Sequence, residues 1–188
     1  MRKLRITYNA PVTLGFVLLC FVTMVLNIVT KGYSNSLLFM TYHSPLTDPF
    51  TYIRFFTHVL GHAGWSHYIG NMSYFLLICP MLEEKHGSKK MITVILITAL
   101  VTSVLNYILF PNIALCGASG VVFALILMSS FTNIRQGEIP LTFILVAILF
   151  LGKEVYEGVF TVDQISNLSH IAGGLVGAYI GFYSPKRK

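Results

Sequence analysis

Four polar side chains stand in stretches of this chain that are otherwise apolar. Ser119 lies in Gly117-Ala118-Ser119-Gly120, directly before the apolar residues 121–128. His67 and Asn71 are four apart in an earlier apolar stretch, and His170 lies near the start of the last one. A serine hydroxyl becomes a nucleophile when a base removes its proton, and His170 is the candidate base. The tetrahedral adduct that follows needs hydrogen-bond donors for its oxyanion. The Ser119 backbone N–H, at a helix start where such groups are unpaired and the dipole favours negative charge, is one candidate. The His67 imidazole and the Asn71 amide are two more. In one place, these groups suit acyl transfer to water. Each alone also has a plainer reading as a packing hydrogen bond between membrane helices.

No acid is well placed to orient the imidazole. Asp163 precedes His170 by seven residues, about 10 Å along a helix, and Glu154 and Glu157 fall in a connection. The expectation is a Ser–His dyad. Ser166 and Asn167, one turn from His170, are polar groups that could orient it through a hydroxyl, an amide or water.

Such residues can meet only if long apolar elements hold them at one depth. The 188 residues are 55% hydrophobic and 11% charged, against about 25% charged in soluble domains. The mean hydropathy of +0.72 agrees with a polytopic membrane protein. Apolar segments fall at about 11–30, 65–83, 91–109, 119–133, 139–155 and 166–183. About 20 apolar residues cross a bilayer, so the predicted fold is all-α with six transmembrane helices. Residues 1–10 and 184–188 are then short tails around a domain at 11–183. Six spans leave both termini on one side. With that side cytoplasmic, it holds Arg2, Lys3, Arg5, Lys85, Lys89, Lys90, Arg135, Lys186, Arg187 and Lys188, against Lys31, Arg54 and Lys153 outside. This is the positive-inside pattern. The charge does not form a basic stripe with interleaved aromatics, so no nucleic-acid partner is expected.

The fourth segment is short. Thirteen residues from Ser119 to Phe131 span about 20 Å, less than the ~30 Å hydrocarbon core. The fourth helix is thus predicted to start inside the membrane, with residues 110–118 dipping down to it. Irregular backbone survives at that depth only when buried in protein or lining a wet cavity, so a water-filled cavity with Ser119 at its floor is expected. Gly120 and Ala124 follow Ser119 at small-xxx-small spacing, as Gly173 and Gly177 follow His170. If these faces pack closely, Ser119 and His170 come within hydrogen-bond reach. Residues 32–64, rich in aromatics and without a clean period, read as a structure lying at the interface. Cys20, Cys79 and Cys116 are odd in number and lack C-x-x-C spacing, so they read as buried small hydrophobes.

In this order, the motifs resemble those of the rhomboid intramembrane serine proteases in their basic six-span form. Gly117-Ala118-Ser119-Gly120 resembles the G-x-S-G nucleophile motif, and His67-Tyr68-Ile69-Gly70-Asn71 the H-x-x-x-N motif. His170-Ile171-Ala172-Gly173 with Gly177 resembles H-x-x-G-x-x-x-G. The resemblance covers about 54–181 and implies Ser119 as nucleophile, His170 as base, and His67 and Asn71 completing the oxyanion hole. It further implies a single-pass membrane protein substrate, cleaved in or near its span and entering from lipid. The fifth helix would be its gate and residues 152–165 its cap. Gly152 and Gly158 are candidate hinges there, or ordinary helix ends. Residues 32–64 would be a structural brace, in which Arg54 matches the arginine of a Trp-Arg pair but Ile53 replaces the tryptophan. Phe123 stands where relatives often have tyrosine and can stack on His170. Glu83 resembles a structural glutamate.

Other readings make different demands. A metal or haem protein could use His58, His62, His67 and His170, but no H-E-x-x-H or C-x-x-C accompanies them. A non-catalytic relative would usually lack the serine or the histidine. A transporter would show an inverted repeat. No metal or cofactor is expected. The expected partners are a membrane protein substrate, the lipid bilayer and cavity water, with the site opening on the outer side.

Overall fold

The computed structural model describes residues 7–131 and 164–183 and, between them, Leu141, Ile144, Leu145, Ile148, Leu149 and Gly152, all six helical. The fifth predicted helix is represented by those six. Residues 153–163, with Glu154, Glu157, Gly158, Asp163 and most of the expected cap, lie outside the described residues, as do 1–6, 132–140 and 184–188 and the Ser166 side chain. Among the described residues the fold is all-α, with one isolated bridge between Thr41 and Leu115.

Six α-helices carry the description: α1 (Pro11–Val29), α2 (Pro49–Thr57), α3 (Trp65–His86), α4 (Ser88–Leu109), α5 (Ser119–Phe131) and α6 (Gln164–Phe182). By length and composition α1 and α4 can cross a membrane, and α5 is apolar but shorter. The turn expected at 83–90 is tighter than its charges suggest. Helix α3 continues to His86, α4 starts at Ser88, and Gly87 alone joins them with φ of +84°. A side chain at that φ is strained, so glycine permits the one-residue break.

Glu83 fixes how α1 meets this turn. Pro11 presets the first helical φ of α1. The next two N–H groups, of Val12 and Thr13, donate to the two Glu83 oxygens at 2.9 Å each. Thr13 Oγ1 and Ser88 Oγ donate at 2.8 and 2.7 Å. One buried carboxylate thus caps α1 and ties it to α3 and α4, with its negative charge at the positive end of the α1 dipole. Phe16 of α1 stacks on Phe75 of α3 at 4.6 Å.

Helix α5 runs through the middle. Val121, Val122, Ala124, Leu125, Ile126, Leu127 and Met128 are all buried, as expected of a helix apolar on every side. Its neighbours α3, α4 and α6 surround it. The side chains of Leu18, Leu19, Leu77, Met81 and Leu175 face outward.

The connection between α1 and α3 is ordered by polar bonds, which is why no hydrophobic period marks it. It holds a π-helical turn (Asn35–Phe39), α2 and a 3-10 turn (His58–Leu60). Asp48 caps α2 by accepting from Phe50 N at 3.0 Å. Arg54 is buried and donates to Leu37 O, Ser44 Oγ, Asp48 Oδ2 and Thr51 Oγ1. Its guanidinium lies 4.5 Å from the Tyr42 ring centroid, whereas Ile53 is exposed. Tyr42 supplies the aromatic face that Ile53 cannot.

Candidate active site

Ser119 is the first residue of α5 and is half-buried. The segment leading to it is held from two sides. Thr41 and Leu115 exchange backbone hydrogen bonds of 2.9 and 2.8 Å, and Gly117 N donates to His58 O at 2.9 Å. Asn106 Nδ2 donates to Ile113 O at 3.0 Å. The brace between α1 and α3 therefore grips the serine segment directly. Gly117 has φ of +126°, a conformation that glycine adopts without strain.

The segment also descends. A Cβ at Gly120 would stand 3.2 Å from Thr102 Cγ2 of α4. Thr102 precedes Leu109, the last residue of α4, by seven positions, about 10 Å along the helix axis. Helix α5 thus begins roughly 10 Å below the end of α4, and residues 110–118 cover that drop.

Helix α3 brings His67 and Asn71 to the same point on consecutive turns. A Cβ at Gly117 would stand 2.6 Å from His67 Cε1, 2.7 Å from His67 Nε2 and 3.5 Å from Asn71 Nδ2. The absent side chain is what lets the imidazole lie against the backbone two residues before Ser119. Asn71 Nδ2 is buried and has no hydrogen-bond partner among the described residues. A buried N–H without a partner costs about 1–3 kcal/mol, and such a group calls for a specific explanation.

Helix α6 approaches from the other side. A Cβ at Gly173 would collide with the Gly120 carbonyl, and one at Gly177 with the Ala124 carbonyl. The two small-residue faces meet as their spacing predicts. The Ser169 carbonyl oxygen lies 3.5 Å from a Cβ position on Gly120. The His170 ring stacks on Phe123, one turn after Ser119, at 4.5 Å between centroids and 1° between planes. Asn167 is buried one turn before His170.

Two residues with no role assigned from sequence prove structural. His58 is buried, with Nδ1 3.3 Å from Arg54 O and Nε2 3.3 Å from Thr102 Oγ1, while its own carbonyl holds Gly117. His62 is buried, its Nδ1 3.1 Å from Leu60 O and its ring edge-on to His67 at 5.2 Å. Burial holds both imidazoles below their ordinary pKa, and at His62 the neighbouring His67 adds to this. Among the described residues no three His, Cys, Asp or Glu are grouped to hold a metal ion. The only sequence signal for His58 was its i, i+4 spacing to His62, which does not reveal the carbonyl contact that matters.

The geometry can be set beside known proteins. The rhomboid domain model matches residues 49–187. Rhomboid-related protein 1 of Caenorhabditis elegans is 33% identical over 139 residues, 69% of this chain and 39% of that protein. Rhomboid-related protein 2 of Mus musculus is 32% identical over 158 residues, 73% of this chain and 52% of that protein. The rhomboid protease GlpG of Haemophilus influenzae is 25% identical over 160 residues, 82% of each. The chain thus spans about two-fifths to half of the two rhomboid-related proteins and most of the third.

Proposed function

From the premise that this chain belongs to the rhomboid family, we propose that it is an intramembrane serine endopeptidase cleaving single-pass membrane proteins in or near their spans. Ser119 Oγ attacks the scissile carbonyl carbon as His170 takes the hydroxyl proton. The oxyanion of the tetrahedral adduct accepts hydrogen bonds from Ser119 N–H, Asn71 Nδ2 and His67. Collapse breaks the C–N bond, and His170 gives its proton to the leaving amine. Water, deprotonated by His170, then attacks the acyl-enzyme ester and regenerates Ser119.

The observation that carries this reading is the meeting of three helices at the start of α5. Asn71 keeps a buried amide nitrogen without a partner beside Gly117, His67 lies against the same glycine, and His170 stacks on Phe123. The protease named among the relatives supports it. Gly117, Gly120, Gly173 and Gly177 act by permitting close approach.

The membrane arrangement belongs to the same proposal. Residues 11–183 form six spans with α5 starting inside the membrane, residues 1–10 and 184–188 lie on the cytoplasmic side, and the site opens to the outer side through a water-filled cavity. The substrate enters from lipid past the helix that contains Leu141 and Gly152. The test is cleavage of a single-span substrate in liposomes. Ser119→Ala and His170→Ala are each expected to abolish cleavage while leaving the thermal unfolding midpoint near that of the wild type. Full cleavage by Ser119→Ala would reject the mechanism.

A further inference from the structure

A groove runs along the outside of the bundle between the first halves of α1 and α4. Val12, Gly15 and Leu19 line one wall, and Ile92, Ile95 and Leu96 the other. Its volume is about 270 Å³, near the lower bound of roughly 300 Å³ for small-molecule pockets. Gly15 opens it, since a Cβ there would meet no atom within 4 Å. From Val12 to Leu19 it extends about 10 Å along the helix axis.

From Val12 to Leu19 its lining carries no polar side chain. At one end Val12 N donates to Glu83, whose carboxylate is already engaged by four donors. Lys89 stands at this end. It precedes Ile92 by three residues and Leu96 by seven, which sets it on the same stripe of α4. Its side chain is exposed, and among the described residues it makes no ion pair. Lys90 follows it in sequence.

An apolar channel that ends at an exposed ammonium matches one amphiphile in charge and in shape. We propose that this groove binds an acyl chain of an anionic glycerophospholipid, with the headgroup phosphate on Lys89. A zwitterionic lipid offers the same chain but no net negative charge, so Lys89 selects between headgroups while Gly15 admits the chain. The inference rests on the membrane reading above and not on the catalytic one.

The test uses the full chain in dodecyl maltoside with dioleoylphosphatidylglycerol or dioleoylphosphatidylcholine at equal mole fraction. The thermal unfolding midpoint of the wild type should rise roughly 5 °C further with the anionic lipid, the size expected near saturation for a chain of this length. Lys89→Glu should erase that difference, and Lys89→Arg should keep it. Gly15→Leu, which fills open space, should fold and lose the stabilisation. Equal midpoints with the two lipids in the wild type would overturn the proposal, as would an undiminished increment in Gly15→Leu. A detergent-solubilised dimer that Gly15→Leu dissociates would also overturn it, by assigning the groove to a second copy. Cleavage measured on the same samples separates the two claims: equal midpoints with the two lipids in a wild type that still cleaves its substrate refute only this one.

Discussion

At Asn71 the fold holds an amide nitrogen that is buried and without a partner among the described residues. An apolar side chain there would avoid that cost, and in the proposed mechanism the amide gains its partner when an oxyanion forms. Asn71→Ala should slow turnover about 10²- to 10³-fold, the usual loss for one oxyanion donor, with no fall in the unfolding midpoint. A matched fall in both would make Asn71 structural. His58 and His62 give a second prediction. Both are kept neutral by burial, with folded pKa values below the ordinary imidazole value. Their contribution to stability is complete above the unfolded pKa of about 6.5. It is lost as pH falls through and below that value, because the unfolded chain takes up protons that the folded chain refuses. The midpoint should decline below about pH 6.5, and less steeply in His62→Gln. A slope unchanged by that substitution would contradict this origin. Ser119, His170, His67 and Asn71 stood out in the sequence as candidates because polar groups are conspicuous in apolar runs. His58 was not, because it acts through its backbone carbonyl.

Among the elements, the α5–α6 contact decides the site's geometry. Gly120 and Ala124 of α5 meet Gly173 and Gly177 of α6 with no space for a further methyl. Gly177→Ala should destabilise the protein by about 1–3 kcal/mol, the usual cost of overpacking. It should also lower cleavage, since the same contact sets His170 beside α5. Gly15→Ala is the control: it adds its methyl to open space and should leave the midpoint unchanged or raised. Equal behaviour of the two variants would show that the close approach is unimportant. This packing could be read from spacing because small residues at i, i+4 have one geometric consequence in a helix. The ends of α3 and α4 could not, because charged side chains suggest a longer turn than the one residue Gly87 provides. The brace between α1 and α3 was recognised only as aromatic and aperiodic. Its order comes from Arg54, Asp48, Ser44 and Thr51, whose contacts follow no helical or strand period.

In the molecule as a whole, a short apolar helix lies inside a ring of longer ones and begins below their ends. The shortness of α5 was visible in the sequence as a run of thirteen residues, Ser119–Phe131. It did not show how the drop before Ser119 is held, since Thr41, His58 and Asn106 come from distant segments. In the proposed function this arrangement places water and the Ser119 nucleophile at a depth where lipid surrounds the protein. The proposed mechanism requires that Ser119 be activated there by His170. The most direct test is labelling by a fluorophosphonate in liposomes, read by mass spectrometry of the modified peptide. Activation by His170 predicts stoichiometric modification of Ser119 in the wild type and none in His170→Ala that unfolds at the wild-type temperature. Modification of Ser119 at an undiminished rate in His170→Ala would contradict it.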